Sequence, residues 1–198
     1  MRTATLALLT VLLALTALPA CRGPMPDMRF YTLTPQARPT AAAAPAAVGV
    51  GPLVIPLALD RPQIVTRTAE NQLSMAEFHR WGGSLSGDVL AAVTQDLSAL
   101  LGSDRVVAHP WTRFIEPEFR VPLEIHRFDG TLGGDVTLVA TWAVQRNGEP
   151  APRVVRKSSF TEPAAGTDYA GLVAAHSRAL AALSQEIAAE LARQMAGE

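Results

Sequence analysis

Cys21 is the only cysteine in this chain of 198 residues, and its thiol lies immediately after an apolar, leucine-rich start. A single thiol cannot form a disulfide within the chain, and it cannot supply a metal site by itself. It follows a segment that contains Arg2, continues as an apolar run from Thr5 to Leu18 and ends in small residues. This is the build of a secretory signal peptide, and the run is shorter than the roughly 20 residues of a membrane-spanning helix. We therefore expect residues 1–20 to be a targeting segment that is removed.

The sequence LPAC at positions 18–21 resembles the lipobox of bacterial lipoproteins. The resemblance implies that a diacylglyceryl group is attached to the Cys21 thiol and that the chain is cut before it. Two or three acyl chains hold a protein at a membrane lastingly, because each buried methylene contributes about 0.8 kcal/mol. Arg22 follows the cysteine instead of the aspartate that keeps such proteins at the inner membrane, so the resemblance favours the outer membrane. Residues 21–29 are then a lipidated tether; the alternative is a free, buried cysteine behind an ordinary signal peptide.

The other side chains that could catalyse a reaction or bind a metal are dispersed along the chain. The histidines show neither the HxH nor the HxxxH spacing that places two ligands on one metal ion. Glu116 and Glu118 flank a proline in a predicted loop, and no serine lies in the G-x-S-x-G elbow of the hydrolases. We therefore expect no catalytic site, no metal and no cofactor. The four histidines are His79, His109, His126 and His176.

Composition also limits the class of partner. The chain has 17 basic and 18 acidic residues, and loss of Arg2 with the targeting segment leaves 16 against 18, a formal net charge of −2. Nucleic-acid binding requires a clustered basic face, so nucleic acid is not an expected partner. The 178 residues that remain are enough for one domain with a single core.

The stretch LDRPQIVTRTAENQLSMAEFHRW, residues 59–81, has the composition of a protein interface. It combines arginines with methionine and aromatic side chains, which are the types enriched at interface cores. We expect part of it to contact a neighbouring copy of the chain or another protein. The alternative is an ordinary strand and loop of the domain, with Trp81 buried. The candidate contacts are Arg61, Arg67, Phe78, Arg80 and Trp81.

Two helices and several strands must position these side chains. Apolar residues recur every three or four positions from Ser84 to Leu101, which predicts a helix, and a similar pattern from Asp168 to Met195 predicts a second one. Alternating apolar residues at 119–125 and 136–144 predict strands, and Asn147-Gly148 is a strong signal for a hairpin turn. The chain therefore contains a meander of strands between two helices.

The order of these elements predicts a fold class. Strands, a helix, a meander and a terminal helix favour an α+β single domain at residues 30–196, with a largely antiparallel sheet and two helices packed on one face. Trp142 alternates in phase with apolar neighbours, so we expect it on the buried face of a central strand. The proline- and alanine-rich loop at residues 35–47 is expected to be poorly ordered.

Several segments resemble the ABC-type transport auxiliary lipoproteins: FYTLTP soon after the lipobox, LDRPQIVTRT, AEFHRW and LGSDRVVAHPW. The resemblance runs from about Phe30 to the terminal helix. It implies a protein without enzymatic activity that works beside MCE proteins, which carry phospholipids between the two membranes of Gram-negative bacteria. The implied partner is an MCE-domain protein, met at the outer membrane. The alternative is a lipid-binding protein that itself shuttles a phospholipid, which would require a concave apolar cavity.

Overall fold

The computed structural model describes residues 26–39, 46–111 and 115–197. The predicted signal peptide and Cys21 lie outside these ranges, so the expectations for them stay predictions. The strands are β1 (Arg29–Tyr31), β2 (Val48–Val54), β3 (Gln63–Ala69), β4 (Gln72–Trp81), β5 (Val106–Ala108), β6 (Phe119–Gly130), β7 (Asp135–Arg146) and β8 (Val154–Pro163). The helices are α1 (Leu85–Leu101) and α2 (Tyr169–Ala196).

The eight strands form one mixed sheet around the long strand β6. On one side β6 pairs with β7, and β7 with β8, in the longest antiparallel ladders of the sheet. On the other side β2 runs parallel to the first half of β6, and β3 meets the end of β6 at the single pair Thr66 and Gly130. Strand β4 lies antiparallel to β3, while the short strands β1 and β5 add parallel edges. The predicted α+β class is confirmed, and the sheet adds parallel pairings to the antiparallel ladders.

Both helices pack on the same face of the sheet, and their ends agree with the sequence prediction. Helix α1 begins after Ser84, whose hydroxyl accepts the backbone N–H of Gly87, and it ends at Gly102 in the left-handed conformation (φ 57°). Helix α2 begins after Asp168, whose carboxylate accepts the N–H of Gly171. The two helices contact each other, with α1 over β2 and β5 and α2 over β6, β7 and β8.

The core lies between the helices and the alternate residues of β6 and β7. Trp142 is 1% exposed, so its predicted burial is confirmed, and its indole Nε1 donates to Ser158 Oγ at 3.0 Å. His176 of α2 is also buried, where its ring meets Phe128 edge-on and its Nδ1 lies 2.9 Å from the carbonyl oxygen of Leu172. Burial lowers the pKa of His176 to about 4, so this histidine is neutral at pH 7.

The loop predicted to be poorly ordered is held to both helices in its described part. The backbone N–H groups of Gln36 and Ala37 both donate to Asp96 Oδ1 at 2.8 Å, and the N–H of Thr34 donates to Ser177 Oγ at 3.1 Å. Asp96 is 1% exposed, and its burial raises the pKa of its carboxyl. Composition did not reveal this arrangement, because the acceptor lies about 60 residues further along the chain.

Trp111 packs over the first residues of β2, on the face of the sheet away from the helices. A side chain at Gly49 would place its Cβ 2.6 Å from Cζ3 of the Trp111 ring, so only glycine admits this close approach. The guanidinium of Arg120 lies 5.8 Å from the centre of the same ring. This part of the outer face is therefore closed by the chain itself.

Candidate partner surface at the β1–β4 edge

Strand β4 directs the candidate contacts to opposite faces of the sheet. Trp81 is 4% exposed and meets His176 of α2 edge-on, with ring centres 6.0 Å apart. Trp81 is therefore a core residue that holds β4 to the helix layer, and its assignment to a partner contact is wrong. Since neighbouring side chains in a strand alternate, Arg80 faces away from the helices, and both Arg80 and Phe78 are partly exposed.

Arg67 has a structural role that the sequence did not indicate. Its Nε and Nη2 donate to the two carboxylate oxygens of Asp129 at 2.9 and 2.8 Å, and its Nη1 donates to the carbonyl of Glu70. Arg127 adds a third hydrogen bond to Asp129 at 3.0 Å. Burial alone would raise the pKa of Asp129, but the two guanidiniums outweigh it and hold the pKa below its ordinary value. Arg67 is thus engaged within the domain rather than free to meet a partner.

Arg61 precedes β3 and Arg80 lies near the end of β4, where the two strands pair. Gln63 is paired with Arg80, and the backbone N–H of Trp81 donates to the carbonyl of Pro62. Arg61 contacts the sulfur of Met75, which is 54% exposed. Within residues 26–39, 46–111 and 115–197, neither guanidinium forms an ion pair, and the Nε atoms of both are buried without a hydrogen-bond partner. Pairing with a carboxylate or phosphate group would therefore use the terminal Nη groups of these arginines.

The edge strand β1 adds apolar side chains beside these arginines. Phe30 is the parallel neighbour of Arg80 in the sheet and is 66% exposed. Met28, just before the strand, is 41% exposed. The sequence alone does not single out Phe30 or Met28, because exposure at a sheet edge depends on strand order. We call Arg61, Met75, Phe78 and Arg80 together the edge patch.

Aromatic stacking fixes β1 to the rest of the domain on the opposite face. Tyr31 Oη lies 2.8 Å from Nδ1 of His79, and the His79 ring stacks on Tyr169 at the start of α2 with ring centres 4.0 Å apart. Burial and the nearby charge of Arg29 lower the pKa of His79. His79 is therefore part of a stacked aromatic cluster that holds β1 and β4 against the start of α2.

No site for metal chemistry appears in the described part of the chain. There, no three side chains among His, Cys, Asp and Glu lie close enough together to hold a metal ion. His109 packs against Trp111, His126 contacts Thr141, His79 stacks on Tyr169, and His176 is buried against Phe128. The same residues include no helix with the length and apolar character needed to cross a bilayer.

Two crystal structures share this fold. A protein from Xanthomonas campestris aligns with a TM-score of 0.66 at 17% sequence identity, over 83% of this chain and 99% of its own. A second, described only as an uncharacterized protein, aligns with a TM-score of 0.68 at 20% identity, over 84% of this chain and 99% of its own. At these identities the likeness concerns the fold alone. Among proteins of curated function, none is significantly similar in sequence.

The family is shown by the sequence itself. The model of the ABC-type transport auxiliary lipoprotein component matches residues 31–188, which include every strand from β2 to β8, helix α1 and most of α2. This range also contains the motifs around Arg67 and Trp81 that carried the resemblance. The family is described as an auxiliary lipoprotein component of ABC-type transport, which is not a class of enzymes. The chain belongs to the family of ABC-type transport auxiliary lipoproteins.

Proposed function

We propose that this protein is anchored to the periplasmic face of the outer membrane through acylated Cys21 and docks the MCE-domain protein of a phospholipid transport system. Family membership supports the transport role, and the lipobox-like sequence at positions 18–21 supports the anchor. The MCE partner and the outer membrane rest on the resemblance and on Arg22 after the cysteine. No step of this function requires catalysis or a cofactor.

The observation that carries the docking role is the edge patch. Arg61 and Arg80 have no ion pair among the described residues, Met75 beside Arg61 is 54% exposed, and Phe78 is partly exposed. Arginine together with aromatic and methionine side chains is typical of the centre of protein interfaces. The patch therefore offers a partner both apolar contact and bidentate pairing with carboxylates.

A phospholipid shuttle, the alternative function, has less support. The space between the helices and the sheet is filled by side chains such as Leu138, Leu180 and Ile187, none of which is exposed to solvent. An apolar groove between Pro52 and Ala143 has a volume of about 240 Å³, and larger open hollows of about 380 and 410 Å³ include charged residues such as Arg146 and Asp104 in their lining. Ligand pockets commonly measure about 300–1,000 Å³ and enclose most of the ligand. Mass spectrometry of lipids extracted with the purified protein separates the two functions, since a shuttle would retain a stoichiometric phospholipid.

Cys21→Ser tests the anchor. Serine has no thiol to acylate, so we expect an uncleaved precursor that stays with the inner membrane, while the wild type is labelled by palmitate and fractionates with the outer membrane. The measurement is palmitate labelling together with membrane fractionation. An unlabelled wild type, with unchanged fractionation of the variant, would contradict the lipoprotein assignment.

Charge reversal of the edge patch tests the docking surface. Arg61→Glu and Arg80→Glu should each weaken binding to an MCE-domain protein from the same genome about tenfold, because a repulsive carboxylate replaces an arginine at the contact. Neither arginine forms an ion pair within the described residues, so we expect both variants to stay folded although both side chains are half-buried. The measurements are a quantitative pull-down and a circular dichroism melt.

Arg146→Glu is the matched control for these variants. Arg146 is an exposed arginine at the end of β7, without an ion pair among the residues that the structure describes, and it lies outside the edge patch. It should bind the partner normally. A sizing measurement on the same variants tests a neighbouring copy as the occupant. Normal binding and normal assembly by both edge variants would place the docking surface elsewhere.

A further inference from the structure

The edge of the sheet that follows the predicted anchor exposes apolar side chains to solvent. Phe30 is 66% exposed and Met28 41% exposed, although both side chains are large and apolar. Between them Arg29 is exposed and forms no ion pair within the described ranges. Strand β1 pairs with β4 on one side and with no other described strand. An aromatic ring, a thioether and a guanidinium thus stand together at a sheet edge.

The length of the chain limits how far this edge can lie from the membrane. Seven residues lead from Cys21 to Met28, and even a fully extended segment of that length spans at most about 25 Å. Strand β8 forms another edge of the sheet. It lies five strand spacings from β1, or about 24 Å, and the path across the sheet is β1, β4, β3, β6, β7 and β8. The anchor therefore holds β1 within about 25 Å of the bilayer, whereas the tether sets no such limit for β8.

The local charge also fits a phospholipid surface. Asp27 is the only acid between residues 22 and 34, whereas Arg22 and Arg29 are basic. Basic residues next to an anchor are attracted to anionic headgroups, and aromatic and aliphatic side chains enter the boundary between headgroups and acyl chains. A surface that contacts the membrane must lie within reach of the tether, whereas a surface that binds a soluble protein need not.

We propose that the β1 edge rests on the phospholipid monolayer, with Phe30 and Met28 inserted at the headgroup boundary and Arg29 among the phosphates. This inference rests on the proposed acylation of Cys21 and adds the orientation of the domain. Because Phe30 is paired with Arg80, a protein bound at Arg61 and Arg80 would meet this chain directly beside the lipid surface. A transport tunnel docked there would open onto the monolayer that receives or supplies its phospholipid.

The test uses the full acylated chain in vesicles of phosphatidylethanolamine and phosphatidylglycerol. Acylation consumes the only native cysteine, so a cysteine introduced by Phe30→Cys is the only free thiol and can carry an environment-sensitive fluorophore. Val155→Cys is the matched control, because Val155 is 60% exposed on the far edge strand β8. We expect a blue-shifted emission that lipid-borne spin labels quench at least twofold at position 30, with no quenching at position 155.

Each outcome separates the inference from the function on which it rests. Failure of the wild type to float with the vesicles contradicts the anchor itself. Flotation without quenching at position 30, or with equal quenching at both positions, overturns the proposed orientation while the anchor stands. A blue shift at position 30 that appears only when an MCE-domain protein or excess unlabelled chain is added would assign the edge to that protein instead. A circular dichroism melt of the labelled variants confirms that each is folded.

Discussion

Trp142→Ala is expected to lower the free energy of unfolding by about 3–5 kcal/mol, a large part of the roughly 5–15 kcal/mol of an ordinary domain. The side chain is 1% exposed on β7, and the neighbouring strands contribute Leu123 and Arg156 at the paired positions. Truncation to alanine leaves a cavity in the middle of the sheet and removes the partner of the Ser158 hydroxyl. A thermal melt should show a midpoint lower by roughly 10 °C.

Trp142→Phe is the matched control for this substitution. Phenylalanine keeps an aromatic ring in the same place but lacks the N–H that donates to Ser158, so it should lose less than half as much stability. If the alanine variant melted within a degree or two of the wild type, the alternation of β7 would not describe its buried face. Equal losses in both variants would instead mean that the hydrogen bond, and not the packing, stabilises this site.

Helices and the central meander could be predicted because their signals are local. The apolar residues that repeat every three or four positions belong to the helix itself. The capping residues Ser84 and Asp168 come directly before the first helical residue, and the observed helices begin one residue after each cap. Trp142 could be assigned to the core for the same reason, since alternation in β7 needs only the residues of that strand. These features follow from neighbours in sequence.

Strand order could not be predicted to the same degree. Strands β2 and β6 are parallel neighbours although α1 and β5 lie between them in the chain, and β1 adds to β4 across the loop that Asp96 holds. Alternation tells which face of a strand is buried but not which strand lies beside it. The exposure of Phe30 is a consequence of this order, because a strand at the edge has a neighbour on one side only.

Within the candidate site, composition identified the right segment but not the role of each residue. Arg61, Arg67 and Arg80 are alike in sequence, yet only Arg67 lies opposite a buried carboxylate, which is 62 residues away at Asp129. Trp81 is 4% exposed whereas Phe78 is partly exposed, although both are aromatic residues of β4. Partners distant in sequence therefore decide which arginines belong to the structure and which stay available at the surface.

Arg67→Ala should consequently behave as a core variant and lower the free energy of unfolding by about 3 kcal/mol at pH 7. Asp129 is 2% exposed, and removal of one partner of a buried ion pair typically costs about 3–5 kcal/mol because a charge is left uncompensated. Arg127 still donates to Asp129, which places the expected loss at the lower end. The effect is large also because β3 and β6 share a single paired position, so Arg67 is a main link between them. Chemical denaturation measures the loss.

The pH dependence of that loss distinguishes the ion pair from simple packing of the arginine side chain. In the wild type the pKa of Asp129 is depressed, so the pair stabilises the fold above the unfolded pKa near 3.9 and loses this contribution as pH falls through the folded pKa. Without Arg67, burial drives the pKa of Asp129 upward, and its protonation relieves the buried charge. The difference in stability between wild type and Arg67→Ala should therefore shrink between pH 7 and pH 4. Arg153→Ala, which breaks an exposed pair with Glu149, should change stability little at either pH. A constant difference across this range would show that Arg67 stabilises the sheet through its contacts and not through its charge.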